Sequence, residues 1–229
     1  MAERVTARKM MVRSSRQSLP ASVAQRLRED ILDGDLVSGQ PLVEAQMVER
    51  FGVSRNTVRE AMHSLAQSGL VTVISHKGSF VRQLTASDIR EIYEIRRIVE
   101  TGCCIRVETG RWTQLAPVFT AAFTQARSAM RDGEWRMAGT ASLLFHRLLV
   151  GACGSDQLTA FFDNICAQMR LAFQMVQPQD AIQRPWLEKD VAIFETLREG
   201  KTGQAITLIE DYLKYSENLL FTLIPGIDE

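Results

Sequence analysis

The chain has 229 residues, 45% of them hydrophobic and 24% charged, with 27 basic and 27 acidic side chains. That is enough apolar material to fill one large core or two small ones. No apolar run approaches the roughly 18 to 20 residues that cross a bilayer, and the opening stretch MAERVTARKMMVRSSRQS lacks the apolar centre of a signal peptide, so a cytoplasmic protein with no membrane partner is expected.

Zero net charge argues neither for nor against nucleic acid, but its distribution is uneven. Residues 1–84 carry 12 Lys and Arg against 8 Asp and Glu, and residues 85–229 carry 15 against 19. An asymmetry of this size also arises by chance scatter and supports DNA binding only in company. Cys103, Cys104, Cys153 and Cys166 have no Cys-x-x-Cys spacing and read as reduced core residues. No Cys or Ser lies in a nucleophile motif, only three His occur and glycine-rich phosphate loops are absent, so no enzyme is expected.

In chain order, residues 1–18 read as a disordered basic arm containing Arg4, Arg8, Lys9, Arg13 and Arg16. Residues 19–84 read as one unit. A first helix is expected from a cap at Ser22 to Gly34, with Val23, Leu27 and Ile31 on its apolar stripe. Turn chemistry at Val37–Pro41 precedes a second helix from Leu42 to Phe51, stopped by Gly52. Ser54 caps a third helix, in which Val58, Ala61, Met62 and Leu65 recur at helical spacing until Ser68-Gly69 ends it. The period then changes. Leu70–Ile74 and Ser79–Arg82 are β-prone and are separated by His76-Lys77-Gly78, which reads as a hairpin.

Residues 85–229 are helical in pattern throughout. A connector at 83–88, with Ser87 as cap, leads into a helix from Asp88 to about Thr109. Further helices are expected near 113–131, 135–151, 156–176, 186–199 and 203–223, with breaks at Gly110, Gly133, Gly154, Pro178, Pro185 and Gly200. The expected fold is mainly α: a winged helix-turn-helix of three helices and a β-hairpin wing, followed by an all-α antiparallel bundle.

On a wheel, the third helix divides Val58, Ala61, Met62 and Leu65 from Arg55, Asn56, Arg59 and His63. A recognition helix needs that division, because one face packs on its partner while the other enters the major groove. Arg suits guanine or phosphate and Asn suits adenine. Ser54 and Thr57 can bind phosphate beside the helix N-terminus. A solvated amphipathic helix would show the same division. The hairpin tip of His76, Lys77 and Gly78 favours DNA, since glycine beside a cation allows close approach to a groove.

These residues resemble the GntR family of bacterial regulators. The resemblance rests on Leu27–Gly34, Gly39–Glu44, the run Gly52-Val53-Ser54-Arg55-Asn56-Thr57-Val58-Arg59-Glu60-Ala61, then Leu65, Gly69-Leu70 and Lys77–Val81. It implies that Ser54, Arg55, Thr57 and Arg59 meet DNA from the helix and Gly78 from the wing. Ala45 and Asn56 depart from the residues common in the family, Arg and Pro respectively, which bears on operator sequence.

Residues 85–229 resemble the FCD effector domain of the FadR subfamily, through Ile92–Glu100, Phe145–Leu149, Gly154–Asp156, Leu197–Gly200, Ala205 and Tyr212-Leu213. The likeness implies a bundle enclosing a pocket for a small carboxylate, often with a divalent metal held by one Asp and three His. Ser142, His146, Asp190 and Tyr212 stand at those four positions, leaving His146 and Asp190 as the only metal donors of the usual kind. A metal is therefore not expected, and no other cofactor is indicated.

Arg96 matches the family's inward Arg and could grip a ligand carboxylate, with Arg97 as its solvated neighbour. Asp190, set among apolar neighbours, needs a partner among His146, Tyr212, Arg96 or a ligand. The expected partners are a palindromic double-stranded operator, a second copy of the chain and a small carboxylate metabolite. The alternative is a DNA-binding dimer whose bundle is purely structural.

Overall fold

The computed structural model describes residues 18–176 and 186–224, apart from the side chain of Arg136. The basic arm, Ser18 excepted, and the breaks at Pro178 and Pro185 lie outside the described residues.

Helix α1 (Leu19–Asp33) is capped by Ser18, whose hydroxyl accepts from the Ala21 amide, and not by Ser22, which lies inside the helix. Pro20 explains the shift. In the first helical turn an amide has no intrahelical partner, so proline is tolerated there and its fixed φ favours the helix. Gly34 ends α1 at φ 78, as glycine without a Cβ readily does.

Leu42, expected to open the second helix, instead lies in a short strand β1 (Pro41–Leu42). Helix α2 (Glu44–Phe51) and helix α3 (Arg55–Gln67) follow. Strands β2 (Val71–Ile74) and β3 (Gly78–Val81) form the wing. The sheet order is β1-β3-β2, all antiparallel, with Pro41 opposite Phe80 and Val71 opposite Val81. Pairing with β1 covers one edge of β3 and buries Leu42 beneath the helices. Leu27, Ile31, Val58 and Leu70 are fully buried at 0% exposure and join α1, α3 and the wing into one core.

Beyond the wing come α4 (Ala86–Arg106), α5 (Thr109–Arg131), α6 (Trp135–Gly151), α7 (Asp156–Gln174), α8 (Trp186–Arg198) and α9 (Thr202–Leu223). Thr85, not Ser87, caps α4. Its hydroxyl accepts from the Asp88 amide at 3.2 Å while the Asp88 carboxylate accepts from the Thr85 amide at 2.9 Å. This reciprocal pair satisfies two donors where Ser87 could satisfy one. Gly110 does not break the chain but lies in the first turn of α5. Helix α5 packs on α6 and α8, α4 on α9, and α7 on α6 and α4. Phe119 and Phe194 stack at 4.3 Å between ring centres, with Phe123 and Phe145 beside them, so a contiguous aromatic cluster joins α5, α6 and α8. The four cysteines are free, Cys103 and Cys104 fully buried.

Helix α1 rests on α7 and α6. Arg170 Nε donates to the Leu32 carbonyl at 2.9 Å and the Gln174 amide to the Ile31 carbonyl, which also accepts from the Gly34 amide, at 2.7 Å, so α7 grips the last turn of α1. The Gln168 amide donates to the Ser68 carbonyl at 3.0 Å, and Arg82 meets Asp88 at 2.5 Å. At Gly69, φ 70, a Cβ would stand 2.7 Å from the Gln168 amide nitrogen. Any other residue there would take a strained left-handed backbone and push the Gln168 amide aside.

Candidate functional site

At the start of α3 the Ser54 hydroxyl accepts from the Thr57 amide at 3.1 Å and lies 2.9 Å from the Thr57 hydroxyl. Arg55, Asn56 and Arg59 are exposed, whereas Val58, Ala61, Met62 and Leu65 are buried. The amphipathic division of the wheel is thus the division between solvent and core. Arg59 is not free in solution: its Nε donates to Glu44 on α2 at 2.7 Å. Each holds the other charged, with the Glu44 carboxyl below its ordinary value through the hydrogen bond to Arg59 and the Arg59 guanidinium raised by the same bond. Glu44 belongs to the motif that carries the family resemblance, yet wheel reasoning on α3 could not find a partner on α2.

At the wing tip the Lys77 amide donates to the Ile74 carbonyl at 3.0 Å, and His76 takes the left-handed turn position at φ 60. Gly78, φ 103, begins β3, and a Cβ there would meet nothing within 4 Å. His76, Lys77 and Gly78 are all exposed.

The second group of residues is buried in the bundle. Arg96 is 2% exposed, His146 1%, Asp190 0% and Tyr212 4%. Arg96, expected to face a ligand, pairs with Glu100 one turn along α4, Nε to Oε1 at 2.8 Å. Glu100 also takes His146 Nδ1 at 2.7 Å. Across the ring, His146 Nε2 lies 3.6 Å from Asp190 Oδ1, and Ser142 donates to Asp190 Oδ2 at 2.9 Å. Tyr212 lies 3.5 Å from the Ser142 hydroxyl and packs edge-on against His146. All five expected residues therefore meet, drawn from α4, α6, α8 and α9. Glu100 was missed, although its spacing of four from Arg96 was the signal for a helical ion pair. Arg97 pairs at the surface with Glu94 and Glu217.

Burial alone would raise the Glu100 carboxyl, but His146 and Arg96 hold it down at about 2. Burial opposes the Arg96 charge, and Glu100 more than restores it. Burial lowers His146 in spite of Glu100, pushes Asp190 well above the usual carboxylate range and raises the Tyr212 phenol. An ionised Glu100 accepts the hydrogen on Nδ1, so neutral His146 presents Nε2 as an acceptor, and neutral Asp190 can carry the hydrogen that faces it. Arg96 Nη2, His146 Nε2 and Asp190 Oδ1 are buried without a hydrogen-bond partner.

The residues do not fit the divalent metal implied by the family likeness. Glu100 and Asp190 approach opposite nitrogens of the His146 ring and cannot share an ion through it, and Ser142 and Tyr212 are poor donors. Among the described residues no group of three or more His, Cys, Asp or Glu is arranged to hold one. Four cavities among the described residues are lined by other side chains.

A winged helix-turn-helix ahead of an all-helical bundle is the architecture of a DNA-binding regulator. Residues 19–81 match the model of the bacterial regulatory proteins of the gntR family, and residues 91–215 match the FCD domain. The chain belongs to the GntR family of bacterial regulators and carries an FCD domain. It resembles a D-xylose utilization operon transcriptional repressor of Paenarthrobacter nicotinovorans, 30% identical over 63% of this chain and 66% of that protein. It also resembles the gluconate operon transcriptional repressor of Bacillus licheniformis, 26% identical over 66% of this chain and 62% of that one. The matches thus span just under two thirds of those relatives. A GntR transcriptional regulator from Rhodococcus sp. RHA1 superposes with TM-score 0.81 at 29% identity, over 90% of this chain and 99% of that one. These relatives and domains are regulators and not enzymes. No described helix is long and apolar enough to cross a membrane.

Proposed function

We propose that this protein is a repressor that binds a palindromic operator as a homodimer, with residues 19–84 reading DNA and residues 85–229 dimerising and sensing a small organic acid. The observation that carries the DNA reading is the exposed row Arg55, Asn56 and Arg59 on a helix capped by Ser54, with Thr57 beside the cap and the His76, Lys77, Gly78 wing tip equally exposed. Two copies related by a dyad would address two half-sites about 10 base pairs apart. The gluconate and D-xylose relatives support control of a carbon-utilisation operon.

The effector reading rests on three buried polar atoms without partners, on Arg96, His146 and Asp190, in a network completed by Ser142 and Tyr212. An acid whose carboxylate takes Arg96 Nη2 would relieve the cost of leaving them unpaired. It would alter repression only by its differential affinity for the two arrangements of the dimer. The Arg96–Glu100 pair favours a second reading, in which the charge is already met and the bundle only dimerises.

Fluorescence polarisation on the fragment upstream of the gene tests the first part. Arg55→Ala and Arg59→Ala should each weaken binding by about 1–3 kcal/mol, and Lys77→Ala should lower the slope of the salt dependence by about 1. Variants that bind as tightly as wild type would show that α3 does not read the operator. For the second part, a saturating organic acid at a hundredfold excess over Kd stabilises the protein by about 2.7 kcal/mol. If no acid shifts the melting temperature, the structural reading of the bundle stands.

A further inference from the structure

A cavity of about 580 Å³ lies between α1 on one side and α6 and α7 on the other, and none of Arg96, Glu100, Ser142, His146, Asp190 and Tyr212 lines it. Leu32, Leu143, Leu144, Ala160 and Ala167 give it apolar walls. Three guanidiniums, those of Arg28, Arg147 and Arg170, meet it against one carboxylate, that of Asp163. Asp163 engages Arg147 through both oxygens. Arg170 is turned to the Leu32 carbonyl. Arg28 makes no ion pair among the described residues, and its Nη2 donates to the Ser68 hydroxyl at 3.1 Å. Burial lowers its pKa by more than the Asp163 carboxylate raises it, the mark of a guanidinium removed from water without full compensation. The volume falls within the roughly 300–1,000 Å³ of small-molecule sites, and apolar walls with a few convergent polar groups are their usual make-up.

We propose that this groove binds a small carboxylate with an apolar body, its carboxylate on Arg28 and its body against the leucines and alanines, and so clamps the winged domain to the bundle. One negative charge matches Arg28, since Asp163, the acid nearest it, is hydrogen-bonded through both oxygens to Arg147. A second negative charge would find Arg147 already engaged by Asp163 through both oxygens. The position also bears on DNA. Ser68, the partner of Arg28, follows the last residue of α3, and its carbonyl is held by Gln168 of α7. A ligand on Arg28 is therefore one side chain from the end of the DNA-reading helix, with its other flank on the bundle. The groove is separate from the site of Arg96 and His146, and its occupancy does not depend on that reading.

The test is calorimetric titration of the full-length protein with hexanoate, octanoate, benzoate and phenylacetate, beside the neutral hexanamide and benzamide. At least one acid should saturate with Kd below about 1 mM. Its amide should bind about tenfold more weakly, as should the acid to Arg28→Gln, the loss expected of a charge-assisted hydrogen bond. Ala160 is exposed at the mouth, so Ala160→Trp fills the groove without burying a new group in the core. That variant should abolish the titration, and the effect of acid on operator affinity is read in each protein against its own ligand-free value. Saturating acid should change operator affinity severalfold in wild type and not in Ala160→Trp.

Absence of saturable binding by every acid, amides that bind as well as acids, or operator affinity indifferent to a bound acid would each overturn the proposal. Binding that survives Ala160→Trp but is lost in Ser142→Val would place the acid in the buried network, sinking the groove while leaving the effector reading above intact.

Discussion

His146 stands between two carboxyl groups that the protein treats in opposite ways. Glu100, beside Arg96, is kept ionised, whereas Asp190, which has Ser142, Tyr212 and the far nitrogen of the ring, is kept neutral by burial. The difference comes from the partners, since both groups are 0% exposed. For Asp190 the consequence for stability has a definite sign. Above the usual carboxylate range the unfolded chain has released this proton and the folded chain still holds it. Each unit rise in pH therefore costs the fold about 1.4 kcal/mol until the folded value is passed. Asp190→Asn keeps the shape and removes the titration. Melting temperatures of the two proteins from pH 5 to pH 9 should diverge as pH rises, with the variant the more stable; parallel curves would show that Asp190 is ionised in the folded state. His146 acts at the other end. Its lowered pKa means that stability is lost as pH falls below the ordinary histidine range.

At the scale of the elements, the helices were legible because the 3.6-residue apolar period reports which face is buried, and Val58, Ala61, Met62 and Leu65 all reach the core as that period requires. Their ends were less legible. Ser22 and Ser87 have the chemistry of caps, as do Ser18 and Thr85, and propensity alone does not rank them. Pro20 decides the first case and the reciprocal Thr85–Asp88 pair the second. Thr85→Ala should cost about 1 kcal/mol by urea denaturation, while Ser87→Ala should be silent. Equal effects would mean that α4 starts later. Strand β1 was illegible for a simpler reason. Two residues, Pro41 and Leu42, carry no period, and their pairing with Phe80 and Ser79 is visible only across the fold.

At the scale of the whole molecule, α7 reaches the winged domain through Gln168, Arg170 and Gln174, each donating to a main-chain carbonyl. Main-chain acceptors carry no signature in a sequence, so this contact could not be read in advance. The Gln168→Ala, Gln174→Ala double variant removes two of the bonds, each contributing about 0.5–1.5 kcal/mol. Amides in α1 and α3 should then exchange with deuterium faster, by about tenfold for each 1.4 kcal/mol lost, while the Phe119–Phe194 region keeps its protection. Unchanged exchange in α1 would show that the helix end is held by its own domain.

The amino-acid sequence by itself determined the order and kind of the helices, the wing, the polar row on α3 and the family, because each depends on neighbours close along the chain. Tertiary structure alone decided that Arg96 meets Glu100 and His146, that Arg59 meets Glu44, and that a groove opens beside Arg28. Which buried charge meets which, and what space is left between two domains, follow from packing of elements far apart in sequence, where desolvation makes each partner matter.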